Sequence, residues 1–183
     1  MSIRISLLML ICLIDMAGIH SAQADDNLKF SGFLVMDPCE LDPDTSDVEV
    51  SFGTIVDKYL YLNQRTHSQQ FVINLKNCDI DSGNIVQMTF SGTPSTELPG
   101  YIVPSSGEKT GIAVGMERVV NDGSGPIVQL LPFNEAMPTS PLFNGTTTLR
   151  FRAFIQGIPS AIASHSIVRG NFSAVATFTI EYP

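Results

Sequence analysis

The stretch GNFSAVATFTIEYP, residues 170–183, carries the longest clean alternation of apolar and polar side chains in the sequence. One face holds Phe172, Ala174, Ala176, Phe178, Ile180 and Tyr182. The opposite face holds Ser173, Thr177, Thr179 and Glu181, with Val175 as its one apolar exception. A period of two predicts a β-strand with one buried face. No turn or return strand follows before Pro183, so we expect this strand to lack one of its neighbours.

A second alternating stretch lies near the other end of the chain, in DDNLKFSGFLVMDPC, residues 25–39. Its inward face consists of Leu28, Phe30, Gly32, Leu34 and Met36. A chain terminus is usually disordered unless something ties it down, and an apolar strand with free edges tends to pair with another chain. Gly32 weakens such a strand unless a close approach needs the space. A β-bulge or simple tolerance of glycine is the alternative explanation.

The segments between these ends also favour strands. Six further strand candidates are VEVSFG (48–53), FVINLKNC (71–78), IVQMTFSG (85–92), GIAVGME (111–117), IVQLLPF (127–133) and LRFRAFIQG (149–157). The links between them are rich in Gly, Pro, Ser and Asn, as in NDGSGP and AMPTSP. No amphipathic helix of three turns is predicted. Many short strands joined by polar turns indicate an all-β sandwich.

Residues 1–24 have the form of a secretory signal. Arg4 precedes the apolar run ISLLMLICLI (5–14), and Ala22-Gln23-Ala24 matches a signal-peptidase site. The apolar run is shorter than the roughly 20 residues that span a bilayer. We therefore expect cleavage after Ala24, an exported product without membrane insertion, an N-terminal extension over residues 25–38 and one domain over residues 39–183.

Composition narrows the possible partners. The chain is 44% hydrophobic and 15% charged, which is enough apolar material for a packed core, and its net charge is −8. An acidic surface argues against nucleic acid as a partner.

Cys12 would leave with the signal, and Cys39 and Cys78 remain. Two cysteines in an exported chain, without a CxxC motif, most simply form one structural disulfide.

The ends of the chain and the cysteine spacing together resemble the pilin subunits of Gram-negative chaperone–usher fimbriae. Three features carry this resemblance: LKFSGFLVMDPC with Gly32 in the inward register, FVINLKNC with a cysteine closing a strand, and NFSAVATFTIEYP with Tyr182 next to last. Within that family the middle stretch IVQMTFSGTPSTELPGYI, followed by GIAV, is most similar to the minor tip-adaptor subunits of P pili.

The resemblance implies an incomplete immunoglobulin-like β-sandwich that lacks its last strand and is completed by donor-strand complementation. A periplasmic chaperone would first lend a strand, and the N-terminal extension of a neighbouring subunit would replace it at the outer-membrane usher. Carried onto this sequence, the donor strand is Leu28, Phe30, Gly32, Leu34 and Met36. The groove and chaperone-binding strand is Phe172, Ala174, Ala176, Phe178, Ile180, Tyr182 and Pro183, and the Pro183 carboxylate would bind basic chaperone residues.

Catalytic and metal-binding patterns are weak in this sequence. After cleavage only His67 and His165 remain as histidines, which is too few for a multi-histidine metal centre. The acidic run Glu40, Asp42, Asp44 and Asp47 fails the EF-hand pattern, because Asp47 and Gly53 stand where glycine and glutamate are required. We therefore expect a solvated turn there, no metal, no cofactor and no enzymatic activity.

The prediction is a minor or tip-adaptor pilin of a bacterial fimbria, exported through the periplasm to the cell surface. Three alternatives are weighed against it: a carbohydrate-binding fimbrial adhesin, an assembly-terminator pilin and a free-standing sandwich enzyme. An adhesin of this kind usually has a lectin domain ahead of the pilin domain, for which the chain has no room, and no catalytic constellation supports the enzyme. The sequence leaves adaptor, tip-repeat, rod and terminator positions open.

Overall fold

A computed structural model of the chain describes residues 37–80, 85–121, 126–138 and 140–183. Its strands in chain order are β1 (Glu40–Leu41), β2 (Gln69–Cys78), β3 (Ile85–Ser91), β4 (Ile112–Asn121), β5 (Pro126–Leu131), β6 (Ser140–Pro141), β7 (Gly145–Gly157) and β8 (Thr177–Glu181). Two short helices, α1 (Asp57–Asn63) and α2 (Pro159–Ser164), and two 3-10 turns, Pro43–Thr45 and Glu108–Thr110, complete the described elements.

The strands form two antiparallel sheets that enclose the core. The larger sheet has the order β1-β2-β7-β4-β5, and the smaller has the order β6-β3-β8. In β7, Leu149, Phe151, Ala153 and Ile155 are buried, and in β3 the buried positions are Val86, Met88 and Phe90. Phe90 of the smaller sheet meets Phe151 of the larger one edge-on, with ring centroids 5.1 Å apart. The predicted β-sandwich is therefore confirmed.

Most of the predicted strands are present, and two predictions need correction. VEVSFG (48–53) has no strand in the structure, and the C-terminal strand covers only Thr177–Glu181 rather than residues 170–183. β3 ends at Ser91, which lies opposite Thr177, so residues before 177 have no strand of that sheet to pair with. The helices α1 and α2 were not predicted, because each is too short to show a helical period.

The predicted disulfide between Cys39 and Cys78 is present. Its Cα atoms are 4.1 Å apart and both cysteines are 5% exposed. The bond joins the residue before β1 to the last residue of β2, beside the pairing of Glu40 with Lys76. It therefore fixes the start of the domain to the edge of the larger sheet.

The acidic run is only partly the solvated turn that the sequence predicts. Asp42 is 3% exposed, and one of its carboxylate oxygens lies 2.8 Å from Lys76 Nζ. The hydrogen bond from Lys76 holds the pKa of Asp42 below its ordinary value. Asp44 and Asp47 are exposed. The prediction is wrong for Asp42, because this residue caps the Pro43–Thr45 turn through the Asp44 amide.

A second packing layer covers part of the face of the larger sheet that points away from the core. Phe154 is fully buried there, beneath the Arg65 guanidinium at 3.6 Å and beside the Tyr101 ring. Gly115, directly opposite Phe154 in β4, leaves the space that this ring occupies, since an added Cβ would lie 2.4 Å from Phe154 Cζ. The outer face at this end of the sheet is thus a small packed surface, not a bare one.

The Glu108 carboxylate holds the loop around Ser95 and Thr96. Its carboxylate accepts hydrogen bonds from the hydroxyls of Ser95 at 2.8 Å and Thr96 at 2.6 Å, and also from the Thr96 amide. These donors, led by the Thr96 hydroxyl, lower the pKa of Glu108 from 4.5 to about 2. A carboxyl whose pKa is depressed on folding stabilises the native state above its unfolded pKa and loses that contribution as pH falls.

We predict that Glu108→Gln lowers stability at neutral pH and that the deficit shrinks between pH 4.5 and about 2, where wild-type Glu108 itself takes up a proton. Urea unfolding of both proteins at pH 7, 4 and 2.5 measures this difference. The control is Glu135→Gln, which changes an exposed carboxyl. Glu97 is not a suitable control, because its carboxylate accepts a hydrogen bond from the Ser160 amide at the start of α2. A deficit that stays constant with pH would contradict the assignment.

Candidate strand-binding groove

In the described part of the chain, strand β8 is paired along one of its two edges. It pairs with β3 from Thr177 opposite Ser91 to Glu181 opposite Gln87. Among the residues that the structure describes, no strand pairs with its other edge. Alternate backbone groups of an antiparallel strand point to opposite sides, so about half of the amides and carbonyls of β8 face this open edge. A row of free backbone groups is a template for one more strand.

The 47–56 segment runs from the Pro43–Thr45 turn to helix α1. We infer that it forms the other wall of the groove, because Cys39 before it and Asp57 after it contact Tyr182 and Arg169 of the C-terminal segment. Val48, Phe52 and Ile55 are half-buried and pack against the core. Residues 47–55 nevertheless make no backbone–backbone hydrogen bond with any described part of the chain. Within the described ranges, this segment therefore has apolar contacts on its inner side and backbone groups without a backbone partner, like the outer edge of β8.

Contacts at both ends hold the two walls together. At one end, the Arg169 guanidinium lies 2.6 Å from the Asp57 carboxylate, and the Ile167 amide donates to Tyr61 Oη at 3.1 Å. At the other end, Tyr182 Oη donates to the Cys39 carbonyl at 3.4 Å. Residues 39–57 and 169–182 therefore run in opposite directions and meet at their ends, with the groove between them.

The alternation predicted for the C-terminal segment is visible in its burial. Phe172, Ala174, Phe178, Ile180 and Tyr182 are half-buried and pack against the core, whereas Ser173, Val175, Thr177, Thr179 and Glu181 are exposed. Phe178 lies over Phe90, with ring centroids 6.0 Å apart. Burial raises the pKa of the Tyr182 hydroxyl. The apolar side chains are only half covered, so part of each is available to a further strand.

Ala176 departs from the predicted face, because it is exposed. Residues 170–176 carry no regular secondary structure, and their described backbone bond is the one that the Ser105 amide donates to the Ser173 carbonyl at 2.8 Å. The described residues give this stretch no strand partner, and Ala176 is exposed although Ala174 before it and Phe178 after it keep the same alternation. Pro183 is exposed. The predicted donor residues Leu28, Phe30, Gly32, Leu34 and Met36 lie outside the described residues.

The sequence did not identify the 47–56 segment as a wall of the groove. The alternation of VEVSFG predicts an ordinary strand, paired within its own sheet. The ion pair between Asp57 and Arg169 was also missed, because the two residues are far apart in sequence and neither belongs to a motif. Such a wall is indicated when a segment with strand-like alternation has no pairing partner among the described residues of its own domain.

The described residues offer no catalytic arrangement. His67 Nε2 lies 3.1 Å from Tyr59 Oη, and His165 ends helix α2 beside the Tyr61 ring. No group of three potential metal ligands occurs in the described ranges. None of the described helices has the length and apolarity needed to cross a membrane. An open strand edge of the kind that β8 has in the described residues is a place where a further strand can be added.

Comparison with known proteins agrees with this geometry. The family model described as "Fimbrial protein" matches residues 28–183. The Major MR/P fimbria protein of Proteus mirabilis is 31% identical, over 91% of this chain and 89% of that protein. The fimbrial adapter PapK of Escherichia coli is 30% identical, over 91% of this chain and 93% of that protein.

Solved structures share the fold. The P pilus rod subunit PapA superposes with a TM-score of 0.67 at 21% identity, covering 80% of this chain and all of that one. A subunit in the structure of a chaperone–usher pilus gives a TM-score of 0.65 at 21% identity, over 88% of this chain and 97% of that one. The chain therefore belongs to the fimbrial protein family: it is a structural subunit of a chaperone–usher fimbria, exported through the periplasm to the cell surface, and not an enzyme.

Proposed function

We propose that this subunit polymerises by donor-strand exchange, with the groove between β8 and the 47–56 segment receiving the N-terminal extension of a neighbouring subunit. The observation that carries the proposal is the open edge of β8 above half-buried Phe178 and Ile180. An added strand would pair with that edge and cover both side chains. The donor is residues 25–38, whose inward face is Leu28, Phe30, Gly32, Leu34 and Met36.

The energetic scale of this exchange is large enough to hold a fibre together. Burying Leu28, Phe30, Leu34 and Met36 at about 1.5–3 kcal/mol each gives on the order of 6–12 kcal/mol as an upper bound. Backbone hydrogen bonds along both groove walls would add to this. Association also costs translational and rotational freedom, which the contacts of the added strand have to offset. Two walls with open backbone groups offer the strand more hydrogen bonds than a single edge does.

Before assembly the same groove has to be covered by something else. In this proposal residues 1–24 are removed as a secretory signal, and a periplasmic chaperone lends a temporary strand. The chaperone would hold the C-terminal segment up to Tyr182 and Pro183, and it would release the subunit at an outer-membrane usher. The exposed position of Pro183 leaves it accessible to such a partner.

The first prediction compares half-buried Ile180 with exposed Thr179, its neighbour in β8. Ile180→Ala removes apolar surface from the groove, and a loss of about 1–2 kcal/mol corresponds to roughly 5–30-fold weaker strand capture. Thr179→Ala, one residue away on the exposed face, should leave capture within about twofold. Fluorescence anisotropy with a labelled peptide of residues 25–38 and the full secreted chain measures both. Equal losses in the two variants would rule out this groove face.

A second prediction concerns Gly32 of the proposed donor strand. In the proposed register its missing side chain allows the strand to approach the groove floor, so Gly32→Leu in the subunit should block insertion into a neighbour while leaving capture by the chaperone intact. Ser31→Leu is the matched control, since Ser31 lies on the other face. Incorporation into fibres and co-purification with the chaperone give the two readouts. Normal incorporation of the Gly32→Leu subunit into fibres would contradict the assignment of this donor face.

For the position in the fibre we propose a minor, tip-adaptor role. Its support is the similarity of residues 85–102 and 111–114 to P-pilus adaptors, together with the 30% identity to the fimbrial adapter PapK. A rod position also has support, since the Major MR/P fimbria protein is 31% identical. A terminator role has no specific observation in its favour.

An adaptor should exchange strands with two different sister subunits and not with itself. A rod subunit exchanges repeatedly with its own kind. Pairwise exchange assays, in which a chaperone-bound subunit is mixed with each sister subunit's N-terminal peptide and with its own, separate these cases. Faster exchange with its own peptide than with any sister peptide would replace the adaptor role by a rod role, without affecting donor-strand exchange itself.

A further inference from the structure

A polar hollow lies on the side of the larger sheet that faces away from the core. Phe151 and Ala153 point into the core, so Arg152 between them points to the opposite side. The hollow has a volume of about 640 Å³, which is within the size range of small-molecule sites. It is lined by Tyr59, Asn63, Arg65, Thr66, His67, Ser68, Gln70 and Arg152.

Every lining side chain carries a hydrogen-bonding group, and several of these groups are already oriented. Tyr59 Oη and His67 Nε2 are 3.1 Å apart, and the Thr66 hydroxyl accepts from the Ile155 amide at 3.0 Å. An apolar ligand would leave such groups without partners. A molecule with many hydroxyls can donate to and accept from hydroxyl, amide and imidazole groups. The lining therefore fits a hydroxyl-rich ligand.

The two arginines of the hollow, Arg65 and Arg152, favour a ligand that carries a negative charge. Arg65 is already engaged, because its Nη2 lies 2.9 Å from Glu117 Oε2 and its guanidinium lies over Phe154. The Ser68 hydroxyl also donates to the Glu117 carboxylate. Both oxygens of this carboxylate therefore already accept a hydrogen bond, one from Arg65 and one from Ser68. Arg152 lies between Gln70 and Glu117 in the sheet and makes no ion pair with any described residue.

Arg152 is therefore a cation in the hollow that forms no ion pair with a described carboxylate, in a chain of net charge −8. Its planar guanidinium matches a carboxylate with two parallel hydrogen bonds. The second possible source of a carboxylate is the exposed acidic turn of another copy, around Asp44 and Asp47. That turn would bring peptide backbone and the side chain of Val48 into a hollow that is polar throughout, so it fits less well.

We propose that this hollow binds a carboxylate-bearing sugar residue, with Arg152 holding the carboxylate and with Tyr59, Asn63 and Gln70 contacting the hydroxyls. The site is separate from the strand-binding groove. Helix α1 contributes Tyr59 and Asn63 to the hollow, whereas its Asp57 and Tyr61 contact the C-terminal segment. Sugar binding thus does not depend on donor-strand exchange, and either proposal can fail alone.

Isothermal titration calorimetry of the full secreted chain, with or without a strand in its groove, tests this site with three probes: D-glucuronate, D-glucose and acetate. We expect glucuronate to bind with a dissociation constant on the order of 1 mM, and each neutral or sugar-free probe at least tenfold more weakly. Arg152→Gln should weaken glucuronate binding at least tenfold. Arg150→Gln, the exposed arginine two residues earlier and outside the hollow, should change it less than twofold.

Several results would overturn the proposal. Absence of glucuronate binding would do so, and equal affinity for acetate would reduce the site to an anion site without sugar recognition. Equal losses in Arg152→Gln and Arg150→Gln would indicate general surface charge. Tighter binding of a peptide of residues 40–49, in competition with glucuronate, would assign the hollow to a second copy. If Arg152→Gln does not fold, Asn63→Ala replaces it, with a loss of at least threefold expected, and unchanged binding counts against the site.

Discussion

The open edge of β8 is the constraint on which the rest of this domain depends. A strand at the edge of a sheet carries unpaired amides and carbonyls, and here it also carries apolar side chains that the domain covers only in part. Proteins usually blunt such edges with charges, prolines or a covering loop. In the described part of this chain the edge is instead bordered by a second wall, residues 47–56, that likewise lacks backbone partners. The two features together define a site for one more strand.

A groove of this kind needs a frame that resists collapse. The disulfide between Cys39 and Cys78 fixes one wall at the edge of the larger sheet, and the ion pair between Asp57 and Arg169 joins the walls at the far end. The exposed position of Arg169 makes that ion pair a modest contributor to stability, so its main effect is positional. Phe90 packs against Phe151 of the larger sheet and against Phe178 of β8, and its ring therefore connects β8 to the core. Among the described residues, the polar contacts that join the two walls lie at their ends.

Much of this arrangement follows from the sequence, because period-two alternation, turn residues and cysteine spacing are local signals. They identify β2, β3, β4, β5 and β7 and the pairing of the cysteines. The resemblance to pilins adds the expectation of a missing strand. What local signals do not contain is pairing across long separations. They assign a strand to 48–53 that the domain leaves unpaired, extend β8 back to residue 170, and treat Asp42 as solvated although Lys76 and the turn bury it. The hollow around Arg152 combines residues from α1, β2 and β7, so no sequence motif announces it.

Amide hydrogen exchange of residues 177–181 tests the central claim most directly. In the secreted chain with an empty groove, alternate amides of β8 should exchange rapidly, because they face the open edge, while the amides bonded to β3 are protected. Addition of the peptide of residues 25–38 should slow the exposed set by on the order of a hundredfold, and should also slow exchange in residues 47–55. Uniform protection of β8 without any added strand, or no change when the peptide binds, would contradict the account.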